Sequence, residues 1–176
     1  LRAFTDCVVE ARHFWGSSGY GVWDDSRNKL EEVFARCMGA EAALVRPQFM
    51  SGTHTLTVAL FGLLRTGDTL LAATGRPYDT LEGVIGIGDA GKGCGTLREF
   101  GVNYDECPLL PDFTPDYDLI AEKAKTATVV HIQRSRGYTQ RNAFDLATIQ
   151  KVADTARKAN PNAVIFVDNC YGEFTQ

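Results

Sequence analysis

The sequence predicts an α/β fold, a three-layer arrangement in which a mostly parallel sheet carries helices on both faces. Two observations lead to it. Apolar, β-branched runs such as "ATVVHIQ" and "AVIFVD" read as strands buried on both sides. They alternate with segments whose apolar residues recur at helical spacing, clearest at 28–38 and 145–159.

The elements follow in chain order. Over 28–38, Leu30, Val33, Phe34, Cys37 and Met38 lie at helical spacing, with Asp25 or Ser26 as N-cap and Gly39 as the stop. "AALV" at 42–45 reads as a short buried strand, and after Pro47 the stretch 52–64 reads as an apolar helix opened by "SGT". "GDTLLAAT" gives a turn and a strand, and "YDTLEGVIG" a short helix from near Asp79. "FGVNYDECPLL" is extended, "PDYDLIAEKAK" helical and "ATVVHIQ" a strand. The helix 145–159 puts Leu146, Ile149, Val152, Ala153 and Ala156 on one face and leads through "NPN" into "AVIFVD".

Composition bounds the function. The chain has 176 residues, 44% apolar and 23% charged, enough for one good core. A net charge of −4 with scattered Lys and Arg argues against a nucleic-acid or anionic-membrane surface and for small-molecule or protein partners. The sequence has no apolar run of membrane-spanning length, and "LRAFTDCVVE" lacks the features of a signal peptide. With no initiator Met at its start, the chain is expected to be a piece of a longer protein. Five scattered cysteines without a C-x-x-C pair fit free thiols in the cytoplasm better than a disulfide framework or zinc site, and no metal is expected.

"GIGDAGKG" at 86–93 satisfies both G-x-G-x-x-G and G-x-x-x-x-G-K, and fails both in context. Gly86 follows a helical pattern rather than a strand, and Gly93 stands where a P-loop needs Ser or Thr. The six glycines from Gly83 to Gly95 read instead as a mobile surface loop.

In a parallel sheet, ligands bind beyond the carboxyl ends of the strands, which here carry "RPQFMSGTH", "GRPYDT", "QRSRGY" and "DNCYGEF". Ser51, Gly52 and Thr53 open an apolar helix, so their N–H groups and the helix dipole suit a phosphate; a plain N-cap is the other reading. Asp168 ends a buried strand, where a carboxylate is costly unless a cation such as a protonated ring nitrogen pairs with it; capping of the next turn is its alternative. Tyr78 follows a strand and could stack on a planar cofactor or simply pack in its loop. Together, a phosphate cradle, a stacking ring and a buried anion are the groups needed to hold pyridoxal 5'-phosphate. His54, His131, His13, Glu173 and Cys170 have ordinary structural readings, His131 as a hydrogen-bonded core residue.

The order and spacing of "RPQF", "SGTH", "GRPYDTLE", "HIQRSRGY" and "FVDNCYGEF" resemble fold-type I pyridoxal-phosphate enzymes of cysteine and methionine metabolism, in the methionine gamma-lyase-like or aluminium resistance branch. The resemblance runs from Tyr20 to Phe174. It implies that 28–176 form a large cofactor-binding domain, truncated at its C-terminus, and that 1–27 contact a neighbouring subunit of a homodimer or homotetramer. Gly52 and Thr53, with Ser51 beside them, would bind the phosphate; Tyr78 would stack on the ring and Asp168 pair with its nitrogen. The segment 133–136, with Gln133 the candidate, falls where such enzymes contact the ring hydroxyl or substrate. Tyr20 and Arg27 correspond to a Tyr and an Arg that reach the neighbour's phosphate.

The implied activity is elimination of a sulfur leaving group from an amino-acid substrate. The Schiff-base lysine is expected beyond Gln176, because none of the six lysines follows a strand near the proposed pocket, so this piece alone is expected to be inactive. An aminotransferase or other enzyme of the same cofactor class, or a non-catalytic truncated paralogue, would share these motifs.

Overall fold

The computed structural model describes residues 1–20 and 24–172, so Val22, Trp23 and Glu173 lie outside the described residues. The chain divides into two compact units, Leu1–Met50 and Ser51–Gln176.

In the N-terminal unit, α1 (Arg2–Asp6) and a 3₁₀ turn (Ala11–Phe14) precede α2 (Asp25–Met38). Arg36 holds Asp6 at 2.7 Å, Arg12 holds Asp25 at 2.9 Å, and the Lys29 ammonium donates to the Cys7 carbonyl at 2.7 Å. Helix α2 begins three residues before the apolar repeat, with Asp24 rather than Asp25 or Ser26 in the cap position. Asp24 makes no side-chain cap bond; its buried carboxylate instead pairs with Arg27 one turn on, at 2.9 Å. Gly39 stops the helix in the left-handed region at φ 65°, which glycine adopts without penalty. Residues 42–45 are not a strand. No strand among the described residues pairs with them; the Val45 N–H donates to the Glu31 carboxylate at 2.9 Å, and Leu44 is exposed.

The larger unit follows the expected alternation: α3 (Gly52–Leu63), β1 (Thr69–Ala72), α4 (Asp79–Ile85), β2 (Asn103–Glu106), α5 (Tyr117–Lys123), β3 (Val129–Gln133), α6 (Leu146–Ala159) and β4 (Val164–Asp168). Asp116 and Asp145 cap α5 and α6 through side-chain oxygens that accept from Leu119 and Thr148 N–H. All strand pairs are parallel, in the order β2-β1-β3-β4. The β1-to-β2 crossover moves one way along the sheet and the β3-to-β4 crossover the other. Because such crossovers are right-handed, their helices must pack on opposite faces. The side chains agree. Leu71, Val130 and Ile132 join Ile120 of α5 and Val152 and Ala156 of α6 in one apolar cluster. Leu70 and Val129 join Leu60 of α3 and Leu81 and Ile85 of α4 in the other.

The glycine-rich stretch is a succession of hydrogen-bonded turns rather than an irregular loop. Gly86, Gly88, Gly91, Gly93 and Gly95 all take positive φ, and the Glu99 carboxylate accepts from the N–H groups of Gly93, Gly95 and Thr96. These bonds, that from Gly93 foremost, hold the Glu99 carboxyl below its usual range. The anion-binding geometry of the stretch is thus filled by its own chain.

His131, in the middle of β3, is buried against Phe166, and its Nε2 has no hydrogen-bond partner, unlike the bonded core histidine expected. Burial pushes its pKa down from 6.5 to about 4. The folded state therefore favours neutral imidazole: the contribution is complete above pH 6.5 and lost as pH falls toward 4. Urea unfolding of the wild type should lose about 2–3 kcal/mol relative to His131→Leu between neutral pH and pH 4.5. Parallel pH profiles for the two proteins would contradict this.

No helix among the described residues is long and apolar enough to cross a membrane, and no group of three or more potential metal ligands assembles among them.

Candidate functional site

In the order β2-β1-β3-β4 the chain leaves β1 toward one edge of the sheet and β3 toward the other, so the crevice beyond the carboxyl ends of β1 and β3 is a topological switch point. An open cavity of about 730 Å³ lies at these strand ends. Its lining combines the start of α3 (Ser51, Gly52, Thr53), the segment after β1 (Tyr78, Asp79, Thr80), the segment after β3 (Ser135, Gly137, Tyr138) and the end of β4 (Asp168, Cys170, Tyr171). Five of the sequence-predicted residues, Ser51, Gly52, Thr53, Tyr78 and Asp168, are thereby brought together across 118 positions of sequence from 51 to 168.

Ser51 is an N-cap in extended conformation whose hydroxyl accepts from the His54 N–H at 3.1 Å. This leaves the N–H groups of Gly52 and Thr53, which a helix cannot satisfy from within, at the cavity wall. A Cβ at Gly52 would meet nothing within 4 Å, so the space beside this backbone is open. The Thr53 hydroxyl lies 3.2 Å from the Tyr78 hydroxyl and 3.1 Å from that of Thr80. Thr80 was not singled out from sequence, although it stands two places after Tyr78 within "GRPYDTLE".

Tyr78 is tied at both ends. Its phenol meets Thr53, and its backbone N–H donates to Oε1 of Gln133 at 3.0 Å. Gln133 is buried, its Nε2 donates to the Ser135 carbonyl at 3.1 Å, and its N–H donates to the Thr74 hydroxyl at 2.9 Å. It is not among the residues lining the cavity.

Asp168 closes β4 opposite Gln133 and is only 4% exposed. Its Oδ1 accepts from the Cys170 N–H at 3.0 Å and its carbonyl from the Arg134 N–H at 3.0 Å. The carboxylate caps the following turn, as one of its two sequence readings has it, and it also lines the cavity.

Two further residues brace the segment after β3: Arg134, which falls within the segment 133–136 singled out from sequence, and Arg141, which was not. Arg134 is buried and donates to the Phe144 carbonyl at 3.2 Å and to Asn169 Oδ1 at 2.9 Å. Arg141, 3% exposed, donates to the carbonyls of Gln133, Arg134, Ser135 and Asn142 and lies 4.1 Å over the Phe144 ring. Burial draws its pKa down to about 10, which leaves the guanidinium charged at neutral pH.

Tyr20 and Arg27 belong to the N-terminal unit, Tyr20 exposed and Arg27 paired with Asp24. His13 is buried in that unit, where its Nδ1 accepts from the Glu10 N–H at 2.8 Å. No lysine lines the cavity among the described residues; Lys123 is held by Asp105 at 2.7 Å, and Lys151 lies 3.9 Å over the Tyr117 ring.

Comparison with known proteins gives one family and a set of close structures. The model of the family described as methionine gamma-lyase matches residues 1–176. The uncharacterized protein YnbB of Bacillus subtilis (strain 168) is 44% identical over 177 residues, covering 100% of this chain and 42% of its own length. The crystal structure of a carbon-sulfur lyase involved in aluminum resistance from Clostridium novyi NT superposes with a TM-score of 0.92 at 44% identity, over 98% of this chain and 41% of that one. A cysteine desulfurase from Thermococcus onnurineus NA1, 12% identical with a TM-score of 0.55 over 95% of this chain and 39% of its own, shares the fold alone. The chain thus spans about two-fifths of the length of the relatives it matches.

Proposed function

The chain belongs to the methionine gamma-lyase family, and on that premise we propose that it forms part of the cofactor-binding domain of a pyridoxal-phosphate-dependent carbon–sulfur lyase acting on a sulfur-containing amino acid. One observation carries the reading: a helix N-terminus with hydroxyls, an aromatic ring and a nearly inaccessible carboxylate converge on one crevice at the switch point. In this reading the sheet and its helices are the three-layer large domain of a fold-type I enzyme.

The residues present fit the group in charge and kind. The N–H groups of Gly52 and Thr53, the positive end of α3 and the hydroxyls of Ser51, Thr53 and Thr80 suit a phosphate dianion. The Tyr78 ring offers a flat apolar face. When bound, the cofactor supplies an electron sink conjugated to the substrate's α-carbon. Asp168, as a buried anion, keeps a proton on a pyridine nitrogen placed beside it. Tyr20 and Arg27 are assigned to the phosphate of a neighbouring subunit in a homodimer or homotetramer. With no lysine at the cavity among the described residues, the 176-residue chain binds the cofactor only non-covalently and does not turn over.

The test is a pyridoxal-phosphate titration followed by absorbance, for wild type and Asp168→Asn, which keeps the acceptor for the Cys170 N–H. Saturable binding that weakens about tenfold or more in the variant is expected. A folded wild-type chain without saturable binding would contradict the cofactor reading, and thiol release by the chain alone would contradict the assignment of its chemistry elsewhere.

A further inference from the structure

Gln133 lies at the heart of the site and yet has no surface in it. Its register partner across the sheet is Asp168, and it follows directly on the core residue Ile132. A glutamine at a strand end beside a ligand crevice would ordinarily present its carboxamide to the ligand. Here both ends of the carboxamide are committed within the chain: Oε1 to the Tyr78 N–H at 3.0 Å and Nε2 to the Ser135 carbonyl at 3.1 Å. The residue is 5% exposed, whereas Tyr78 and Ser135, its two partners, both line the cavity.

We propose that Gln133 is a positioning residue, the strut that fixes Tyr78 against the end of β3 and so presets the stacking surface of the site. The geometry explains why this residue type is needed. Tyr78 is the residue preceding α4, in extended conformation at φ −65° and ψ 159°, and its N–H has no acceptor within the helix it introduces. A part-buried backbone donor of this kind is costly to leave unpaired. Only a side chain offering both an acceptor and a donor can satisfy the Tyr78 N–H while also tying down the Ser135 carbonyl, and the carboxamide does both.

The strut is itself braced. The Gln133 N–H is held by the Thr74 hydroxyl at 2.9 Å, and its carbonyl accepts from Arg141 at 3.0 Å. Phenol to Thr53 at one end and N–H to Gln133 at the other leave Tyr78 little freedom to swing out of the crevice. This preorganisation lowers the ordering cost of binding a planar ligand.

The inference rests on the cofactor reading only for its second readout. The first is hydrogen exchange of the Tyr78 amide, followed by NMR in the cofactor-free chain. Gln133→Leu, of similar bulk and without an acceptor, should accelerate that exchange at least about tenfold, while Gln133→Glu, which keeps an acceptor, should restore most of the protection. The second is the pyridoxal-phosphate dissociation constant, expected to rise about tenfold in Gln133→Leu. Unchanged Tyr78 exchange with weakened binding would overturn the proposal and make Gln133 a direct ligand contact. Accelerated exchange in Gln133→Leu, together with a wild-type chain that binds no cofactor, would uphold the strut and refute the cofactor reading. If Gln133→Leu does not fold, Gln133→Asn, which withdraws the carboxamide by one methylene, serves the same comparison.

Discussion

Gly91→Ala is expected to destabilise the protein by roughly 3–5 kcal/mol in urea unfolding, while Gly93→Ala, two residues away, costs only about 1 kcal/mol. Both glycines have positive φ, 69° and 77°, so both substitutions carry the left-handed penalty of an L-residue. They differ in what the new methyl meets. At Gly91 it would fall 2.1 Å from the Gly83 carbonyl oxygen and 3.0 Å from Thr96 Cγ2; at Gly93 it meets nothing within 4 Å. Gly83 belongs to α4, whose Leu81 and Ile85 are fully buried, so the carbonyl cannot retreat without moving the helix. Equal effects at the two positions would show that the turns give way more easily than their packing implies.

Arg141→Met is expected to be comparably severe, lowering stability by roughly 3–5 kcal/mol and loosening the segment that follows β3. The guanidinium is the common donor to four backbone carbonyls, and methionine would take that donor from two buried ones, Gln133 and Arg134, and two part-buried ones, Ser135 and Asn142. Its hydrogen bonds all go to carbonyls, so the charge is stabilised by backbone dipoles and the Phe144 ring rather than by an anion. Arg141→Lys should rescue little, because a single ammonium cannot reproduce the planar fork. Urea midpoints for the three proteins decide this; a lysine variant as stable as wild type would reduce Arg141 to a point charge.

The alternation of strand and helix was legible because buried parallel strands are written as continuous β-branched runs and their helices as amphipathic repeats. The start of α3 and the carboxylate at the end of β4 were legible for a related reason: both sit at element boundaries, where residue type reports on unsatisfied backbone or buried charge. What local pattern could not give is whatever depends on a distant partner. Residues 42–45 are as apolar as a strand but have nothing to pair with. Arg134 falls within the strand-end segment 133–136 that the sequence marks, but its burial, and that of Arg141 in the polar stretch after it, depends on acceptors brought in by the fold, among them Asn169 and the Phe144 carbonyl for Arg134. The carboxamide of Gln133 is spoken for by Tyr78, a contact that only the folded sheet creates.

The strand order also governs how the chain can fold. Strand β1 pairs on one side with β2, Thr69 against Asn103, and on the other with β3, Leu70 against Val129. Among the described residues strand β4 pairs with β3 alone, Val129 against Val164. Every pairing therefore closes a long loop, and β1 stays half-dressed until β3 arrives. A chain emerging from its N-terminus can form α3, β1 and α4 as a local unit, but Gln133 and Asp168, two of the groups on which the crevice depends, come into place only with β3 and β4. Assembly of the pocket in this sense waits on long-range pairing, and its slowest step should track docking of β3 rather than formation of any helix.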